Sequence, residues 1–495
     1  MVTTKERPPD SRRWAALLFI GLAQLMIVLD GTIVNIALPS LQRDLGISDG
    51  DRQWIITAYM LAFGSLLLLG GRIADHVGRK RIFLIALIGF AGASALGGAA
   101  GGFELLLTAR ALQGAFGALL GPSALSLLTI TFTEPGDRAK AFGIWGAISG
   151  MGGAIGLLAG GALTEYLDWR WCLYVNIPIA LVAAAGGYAL LTESRRAGRA
   201  RFDLPGVFLV TSGLVAIVYG TGRAESDGWS SATVLGLLSA GTLLLAAFAL
   251  VESRVREPLL PPHVIADRTR GGAYLAVGVT VVGMFGAFLF MTYYMQAVKG
   301  YSPVRTGVAF LPMVAAMLLS AGGLTTRLLP RVAPRLLIVP GMLVCAAGML
   351  WMITLETGTH YAGGVLVAQL LFGFGAGMIM PAGLNYATHG VGPDDLGVAS
   401  AGVNTAQQVG GSLGIALLNT IAASASIDYL GSHGKSPETV RQAVLEGFGA
   451  AGVWAVVILL AGAVLVGLLM NTPRPAPQQA GDVPEPLPAT DLVSR

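Results

Sequence analysis

The sequence predicts an all-α polytopic membrane protein: fourteen transmembrane helices, arranged as two six-helix halves with two further helices inserted between them. Three observations carry this reading. Charged residues make up only 12% of the 495 positions and apolar ones 54%, whereas a soluble domain carries roughly 25% charge, so a soluble multidomain enzyme is excluded. Apolar runs of roughly 20 residues, enough to cross a bilayer, recur along almost the whole chain. A set of glycine signatures also repeats in order at nearly one spacing.

The elements follow in order. Lys5, Arg7, Arg12 and Arg13 precede span 14–39, which is too long for a signal-peptide core and is followed by no small-residue cleavage site, so it reads as a retained span. Span 53–70 closes on Gly70 and Gly71, and span 82–102 opens after the basic group Arg79, Lys80 and Arg81. Spans 105–131 and 141–164 are rich in glycine, and span 172–192 ends before the arginines at 195, 196, 199 and 201. Spans 204–222 and 231–251 form the insert. A polar 252–271 linker leads to spans 273–297, 305–328, 336–355, 361–387, 399–424 and 447–470, and the Pro-rich tail from Thr472 is expected to be disordered. The resulting organisation is an N-terminal half over 1–202, the insert over 203–252, a C-terminal half over 253–471 and a cytoplasmic tail over 472–495.

The internal repeat supports the two halves. Gly70-Gly71 with Arg79 is echoed 252 residues later by Gly322-Gly323 with Arg331, and Gly114 and Pro122 recur as Gly373 and Pro381 at an offset of 259. Gly152, Gly153 and Gly156 recur as Gly410, Gly411 and Gly414 at an offset of 258. Spans two, four and five thereby pair with spans ten, twelve and thirteen.

The net charge of +4 in a soluble protein would suggest a nucleic-acid partner. Here 23 of the 32 Lys and Arg fall in the segments on the side of the N-terminus. That asymmetry is a topology signal placing both termini in the cytoplasm of a multi-pass plasma-membrane protein; no nucleic-acid partner is expected. Cys172 and Cys345 lie inside apolar runs, and the five histidines have no metal spacing. No metal, cofactor or catalytic set is indicated. A channel would need a continuous ring of pore polar groups and an intramembrane enzyme a catalytic set, and neither is found.

An ionisable residue within a bilayer costs about 2.5–3.5 kcal/mol on insertion scales, which makes each one a functional candidate. Asp30 lies about 13 Å below the outer end of span one, and Arg110 about 9–12 Å below that of span four, at 1.5 Å per residue. The equal depths predict that they face one cavity and interact directly or through water, as the proton-coupling and cation-binding pair. Burial opposes the carboxylate's charge and the arginine favours it, which suits a group that exchanges a proton during turnover. One carboxylate suits a monocationic or neutral substrate, driven by the proton gradient.

Further candidates surround this pair. Gly71, Asp75, Gly78 and Arg79 form a short cytoplasmic loop, in which Gly78 permits a tight turn and Asp75 can pair with Arg79, as a conformational clasp or simply as an orientation signal. Gly152, Gly156, Gly160 and Gly161 give span five a small-residue surface for close packing or for sliding. Asn35, Tyr59, Gln113, Trp145, Asn385, Asn404 and Gln408 are candidate cavity-lining side chains, although hydrogen bonding between helices accounts for any one of them equally well.

These residues also resemble a known family. Leu29-Asp30 through Asn35 to Pro39, Gly71 to Arg81, Arg110 with Gln113-Gly114, Asp168 through Trp171 to Asn176 and Pro178, and Asn404 through Gln408 to Gly411 together resemble the major facilitator superfamily. The resemblance is to its fourteen-span drug:proton antiporters of the QacA/EmrB type. It departs at His76, where a basic Arg is usual, and at Leu157 and Gly153, where prolines are frequent. The resemblance implies a major facilitator fold and proton-coupled multidrug efflux by alternating access. The partners it implies are small lipophilic substrates, protons and the lipid bilayer, with a monomer as the working unit. Export of an endogenous metabolite, antibiotic or lipid is the alternative.

Overall fold

A computed structural model describes the chain except residues 1–9, 49, 195–202, 256–266, 330, 390, 392–395, 435 and 471–495. The expected tail over 472–495 therefore lies outside the described residues, as does the side chain of Asp75. The described residues are helical throughout their regular structure. The helices are α1 (Asp10–Leu45), α2 (Trp54–Val77), α3 (Arg79–Gly98), α4 (Phe103–Thr131), α5 (Pro135–Tyr166), α6 (Trp171–Tyr174), α7 (Asn176–Leu190), α8 (Leu204–Asp227) and α9 (Ala232–Glu252). They continue as α10 (Arg268–Tyr293), α11 (Pro303–Ala309), α12 (Leu311–Leu319), α13 (Thr326–Leu328), α14 (Arg335–Ile353), α15 (Val365–Thr388), α16 (Leu396–His433) and α17 (Pro437–Leu469). Among the described residues, twelve helical stretches are long and apolar enough to cross a membrane, and α2 adds a shorter apolar stretch, Trp54–Leu67. The protein is a multi-pass, all-helical membrane protein.

Two expected spans are broken where proline removes a helical N–H. Span 172–192 is split into α6 and α7 at Val175, because Pro178 cannot donate to the carbonyl of Tyr174. Span 305–328 is divided at Phe310, just before Pro312, and then passes through a π-helical segment, Ser320–Thr325, that contains Gly322 and Gly323. A second π-helical segment, Tyr294–Val298, follows α10.

The glycine repeat has a structural counterpart. α1 packs on α5 and α7, α3 on α4 and α7, and α2 on α4; in the same pattern α10 packs on α16 and α17, α14 on α15 and α17, and α12 on α15. A side chain at Gly114 would meet the carbonyl of Tyr59 on α2, and one at Gly373 would meet that of Met313 on α12. Likewise Gly156 abuts Thr32 of α1, while Gly414 lies 2.7 Å, at its would-be Cβ, from Val282 of α10. Gly70 fits against the carbonyl of Ala118, but its echo Gly322 has nothing within 4 Å, because the π-helical segment re-aims that part of the chain.

The two most extensive contacts between the N-terminal and C-terminal groups of helices are α2 with α16 and α5 with α11. They are equivalent under the repeat, since α2 corresponds to α11–α12 and α5 to α16. α8 and α9 pack on each other, and α8 also lies against both α2 and α16.

Candidate functional site

Each side chain of the central site is positioned by one of five helices. α1 supplies Asp30, α2 Tyr59 and the carbonyl of Ile55, α3 Ser94, α4 Arg110 and Gln113, and α7 Asn176. Asp30, Ser94, Gln113 and Asn176 have no exposed surface, Arg110 is 1% exposed and Tyr59 4%. The pair expected from equal depth makes direct contact: Arg110 Nη1 donates to Asp30 Oδ2 at 2.7 Å. Asp30 Oδ1 accepts from Gln113 Nε2 at 3.1 Å and from Asn176 Nδ2 at 2.8 Å.

The arginine is held on its other sides. Its Nε donates to the carbonyl of Ile55 at 2.9 Å, and Nη1 also donates to Gln113 Oε1 at 2.9 Å. Its guanidinium lies 4.5 Å from the centroid of the Tyr59 ring, a cation–π arrangement. Gln113 Nε2 reaches Ser94 Oγ at 2.8 Å. A buried carboxylate is stable as an ion only when its charge is paired and its lone pairs are filled. Here one guanidinium and two amides do both. Tyr59 and Gln113, expected on a cavity wall, are instead packed within this network, because α2 and α4 approach so closely at Gly114 that both side chains are enclosed.

The other candidates are spread more widely. Asn35, 4% exposed, donates to the carbonyl of Gly31 in its own helix at 3.0 Å. Trp145 on α5 and Gln408 on α16 are half-buried, and Asn385 on α15 and Asn404 on α16 are exposed. Gln408 sits on the α2 contact, its Cβ 2.6 Å from where a Cβ of Gly64 would stand. Gly152, Gly156 and Gly160 face α1, while Gly161 faces α11, its would-be Cβ 2.7 Å from the carbonyl of Pro303.

The loop glycine is required by its backbone. Gly78 has φ +124 between α2 and α3, a region that side chains disfavour. A Cβ added at Gly71 would make ordinary contact with Pro122 at 3.5 Å, and Arg79 is half-buried. Glu193, which belongs to no sequence motif, caps this loop: its carboxylate accepts from the backbone N–H of Arg81 at 3.1 Å and of Lys80 at 3.3 Å. Negative charge there favours the start of α3.

Hydrogen bonds between the two groups of helices cluster at the end of the bundle opposite the N-terminus. Arg52, 6% exposed, donates to Asn419 Oδ1 at 2.9 Å and lies 4.2 Å from the centroid of the Tyr293 ring. Tyr293 in turn donates to Gln42, Gln296 Nε2 donates to the carbonyl of Ile36 at 3.1 Å, and the N–H of Val304 donates to Glu165 at 2.8 Å. In the sequence Arg52 is an outer-loop charge with no assigned role. Only the fold brings it under α10 and α16.

Comparison with known proteins agrees with this architecture. Residues 20–415 match the family model described as Major Facilitator Superfamily. A puromycin resistance protein of Streptomyces alboniger is 55% identical over 96% of this chain and 94% of its own length. A cephamycin export protein of Amycolatopsis lactamdurans is 37% identical over 93% of each chain. The multidrug efflux pump LfrA of Mycolicibacterium smegmatis is 32% identical over 83% of this chain and 81% of its own. Among solved structures, a bacterial homolog of the human lysosomal transporter Spinster, inward-facing and unoccupied, aligns with a TM-score of 0.66 at 18% identity, covering 94% of this chain and 98% of that one.

Proposed function

Because the chain belongs to the Major Facilitator Superfamily, we propose that it exports lipophilic, monocationic or neutral compounds from the cell in exchange for protons, by alternating access. It is a transporter and not an enzyme, and its relatives are named for antibiotic resistance, antibiotic export and multidrug efflux. Puromycin is the first substrate to test, given the identity to a puromycin resistance protein.

The observation that carries the coupling is the buried carboxylate, bound to Arg110 and sealed by Tyr59, Gln113 and Asn176. In this reading Asp30 is the proton site and Arg110 sets its charge balance. A proton arriving on Asp30 removes the charge that Arg110 pairs with, and the network loosens. Since Asp30 has no exposed surface here, a cationic substrate is not in contact with it in this conformation. The proton and the cation occupy different states of the cycle.

Two halves of six spans with α8 and α9 inserted account for the repeated packing, and α2 and α5 added to the twelve apolar stretches give fourteen spans. Both termini are then cytoplasmic, in the plasma membrane, and the end joined by Arg52 is the outer one. The packed outer end makes this conformation inward-facing. The Gly71–Arg79 loop is the inner clasp, the Gly152–Gly161 surface is where α5 moves against α1 and α11, and Asn35, Trp145, Asn385, Asn404 and Gln408 line the substrate path. The unit is a monomer needing no cofactor beyond the proton gradient.

The test is uptake of puromycin and of a fluorescent lipophilic cation into inverted vesicles, for the native chain and Asp30→Asn. Native uptake should collapse when the pH gradient is dissipated, and Asp30→Asn should lose the gradient-dependent part while remaining in the membrane. Equal native uptake with and without the gradient would overturn the coupling.

A further inference from the structure

The two amides that donate to Asp30 are not held alike. Gln113 is locked in orientation: its Oε1 accepts from Arg110 at 2.9 Å and its Nε2 also donates to Ser94 at 2.8 Å. Turning it would set an NH2 group against a guanidinium. Asn176 is under no such constraint. Its Nδ2 donates to Asp30 Oδ1 at 2.8 Å, while its Oδ1, in a residue with no exposed surface, has no hydrogen-bond partner.

An unpartnered buried amide oxygen is unfavourable, and such groups in native proteins usually serve a purpose. An ionised carboxylate only accepts, whereas a protonated one carries an O–H that needs an acceptor. Among the described residues, the charged groups and titratable side chains facing Asp30 are few. Arg110 comes from α4, Tyr59 from α2 and Cys172 from α6, whose thiol lies 3.4 Å from Thr164 Oγ1. The Tyr59 hydroxyl also lacks a partner, but it lies 3.6 Å from the would-be Cβ of Gly117, about two turns along α4 from Arg110. The unused acceptor adjoining Asp30 Oδ1 belongs to Asn176.

We propose that Asn176 is the positioning residue that complements both protonation states of Asp30. Its Nδ2 donates to the carboxylate and, after a half-turn of the amide, its Oδ1 accepts from the carboxylic acid. The proton resides on Asp30 Oδ1 in the second arrangement, and Asn176 exchanges one hydrogen bond for another without gaining or losing a proton. The swap gives the new O–H an acceptor without turning Gln113, so the loosening that follows protonation falls on the Arg110 ion pair. Asn176 opens α7 immediately after the break at Val175, and the preceding turn is anchored by Trp169 and Arg170, which both donate to Asp44 at 3.0 and 2.9 Å. The inference rests on the proton-coupled reading above.

The experiment is infrared difference spectroscopy of the full chain in lipid between alkaline and acidic pH, with asparagine carbonyls isotope-labelled, alongside proton-driven vesicle uptake. The native chain should show a carboxylic-acid band that Asp30→Asn removes, and with it a downshifted, label-sensitive asparagine carbonyl band. Asn176→Ala should lose that asparagine band. Its acid midpoint should rise, because the hydrogen bond lost from the ionised form is charge-assisted and the stronger of the two. Asn176→Ser, whose hydroxyl both donates and accepts, should restore part of the native midpoint, and it serves if the alanine variant does not fold. A native asparagine band and midpoint in both variants, or no asparagine shift in the labelled native chain, would overturn the inference. Gradient-driven export by Asp30→Asn would instead overturn Asp30 as the proton site, and gradient-independent uptake by the native chain would overturn the proton-coupled reading; these failures are read from different measurements.

Discussion

On the proposed topology, replacing Arg52 with alanine should open the outer end of the transporter. Arg52 is buried at the contact between the two helix groups, where it donates to Asn419 at 2.9 Å and lies 4.2 Å from the Tyr293 ring centroid. A hydrogen bond from a charged group contributes about 1.5–3 kcal/mol, and a partly desolvated cation–π contact about 1 kcal/mol. In the outward-open state the same guanidinium is solvated, so most of this energy discriminates between the two states. A loss of about 3 kcal/mol shifts their ratio on the order of 100-fold. The readout is a cysteine at Met60, which is 5% exposed and meets the would-be Cβ of Gly411 across the α2–α16 contact. Cys172 and Cys345, free and buried, give a low background. A membrane-impermeant maleimide added outside should label Met60→Cys slowly in the native chain and at least tenfold faster with Arg52→Ala. Arg52→Lys, which keeps the charge without the planar fork, should fall between. Unchanged labelling in Arg52→Ala would refute the assignment of this contact as the outer closure.

Three other perturbations follow from the geometry. Arg110→Ala and Asp30→Asn each leave one buried group without its ion partner, a loss of about 3–5 kcal/mol, so each should melt well below the native chain in detergent, and the double variant should melt higher than the two losses added together would give. Gly161→Val places a side chain on the carbonyl of Pro303, 2.7 Å from the would-be Cβ, and should favour the outward-open state in the Met60→Cys labelling assay while reducing transport. Gly78→Ala forces φ +124 on a residue with a side chain, a strain of about 1–3 kcal/mol, and drives its Cβ onto the Glu193 carboxylate, 2.6 Å away. Its measurable effect should be a lower melting temperature, reproduced in part by Glu193→Gln.

Legible and concealed features of the sequence divide along physical lines. Depth in a span is one coordinate, set by the rise per residue, and it is enough to pair Asp30 with Arg110 from the sequence alone. Glycine at a close crossing is readable too, because no other residue fits, and the offsets near 258 match real contacts at Gly114 and Gly373 and at Gly156 and Gly414. Azimuth and helix breaks are not readable in this way. Asn176 sits in a motif near a turn, and only the packing of α7 on α1 sets its amide against Asp30. Arg52 stands in the sequence as an outer-loop charge with nothing to distinguish it, because its partners Asn419 and Tyr293 lie more than two hundred residues away. Ser94, a small polar residue with no motif around it, gains its place only because Gln113 needs an acceptor.

The repeat separates what holds this fold together from what drives it. The register that equates Val28 with Gly278 at the Gly152 and Gly410 contacts matches Asp30 to Thr280, and the one that equates Gly114 with Gly373 matches Arg110 to Gln369. Both counterparts are fully buried. Thr280 donates to the carbonyl of Ala276 within its own helix at 2.7 Å, and Gln369 accepts from Tyr361 at 3.3 Å. The C-terminal helices thus keep the glycine crossings and the packing order of the N-terminal ones while replacing the ion pair with neutral groups. A second buried pair would add its own desolvation penalty and a second proton to every cycle. On the proposed coupling, confining charge to one half would let a single protonation bias the whole molecule, because the α2–α16 and α5–α11 contacts tie that half to its neutral partner. In that reading the neutral half is free to vary substrate-facing side chains without disturbing the proposed proton site.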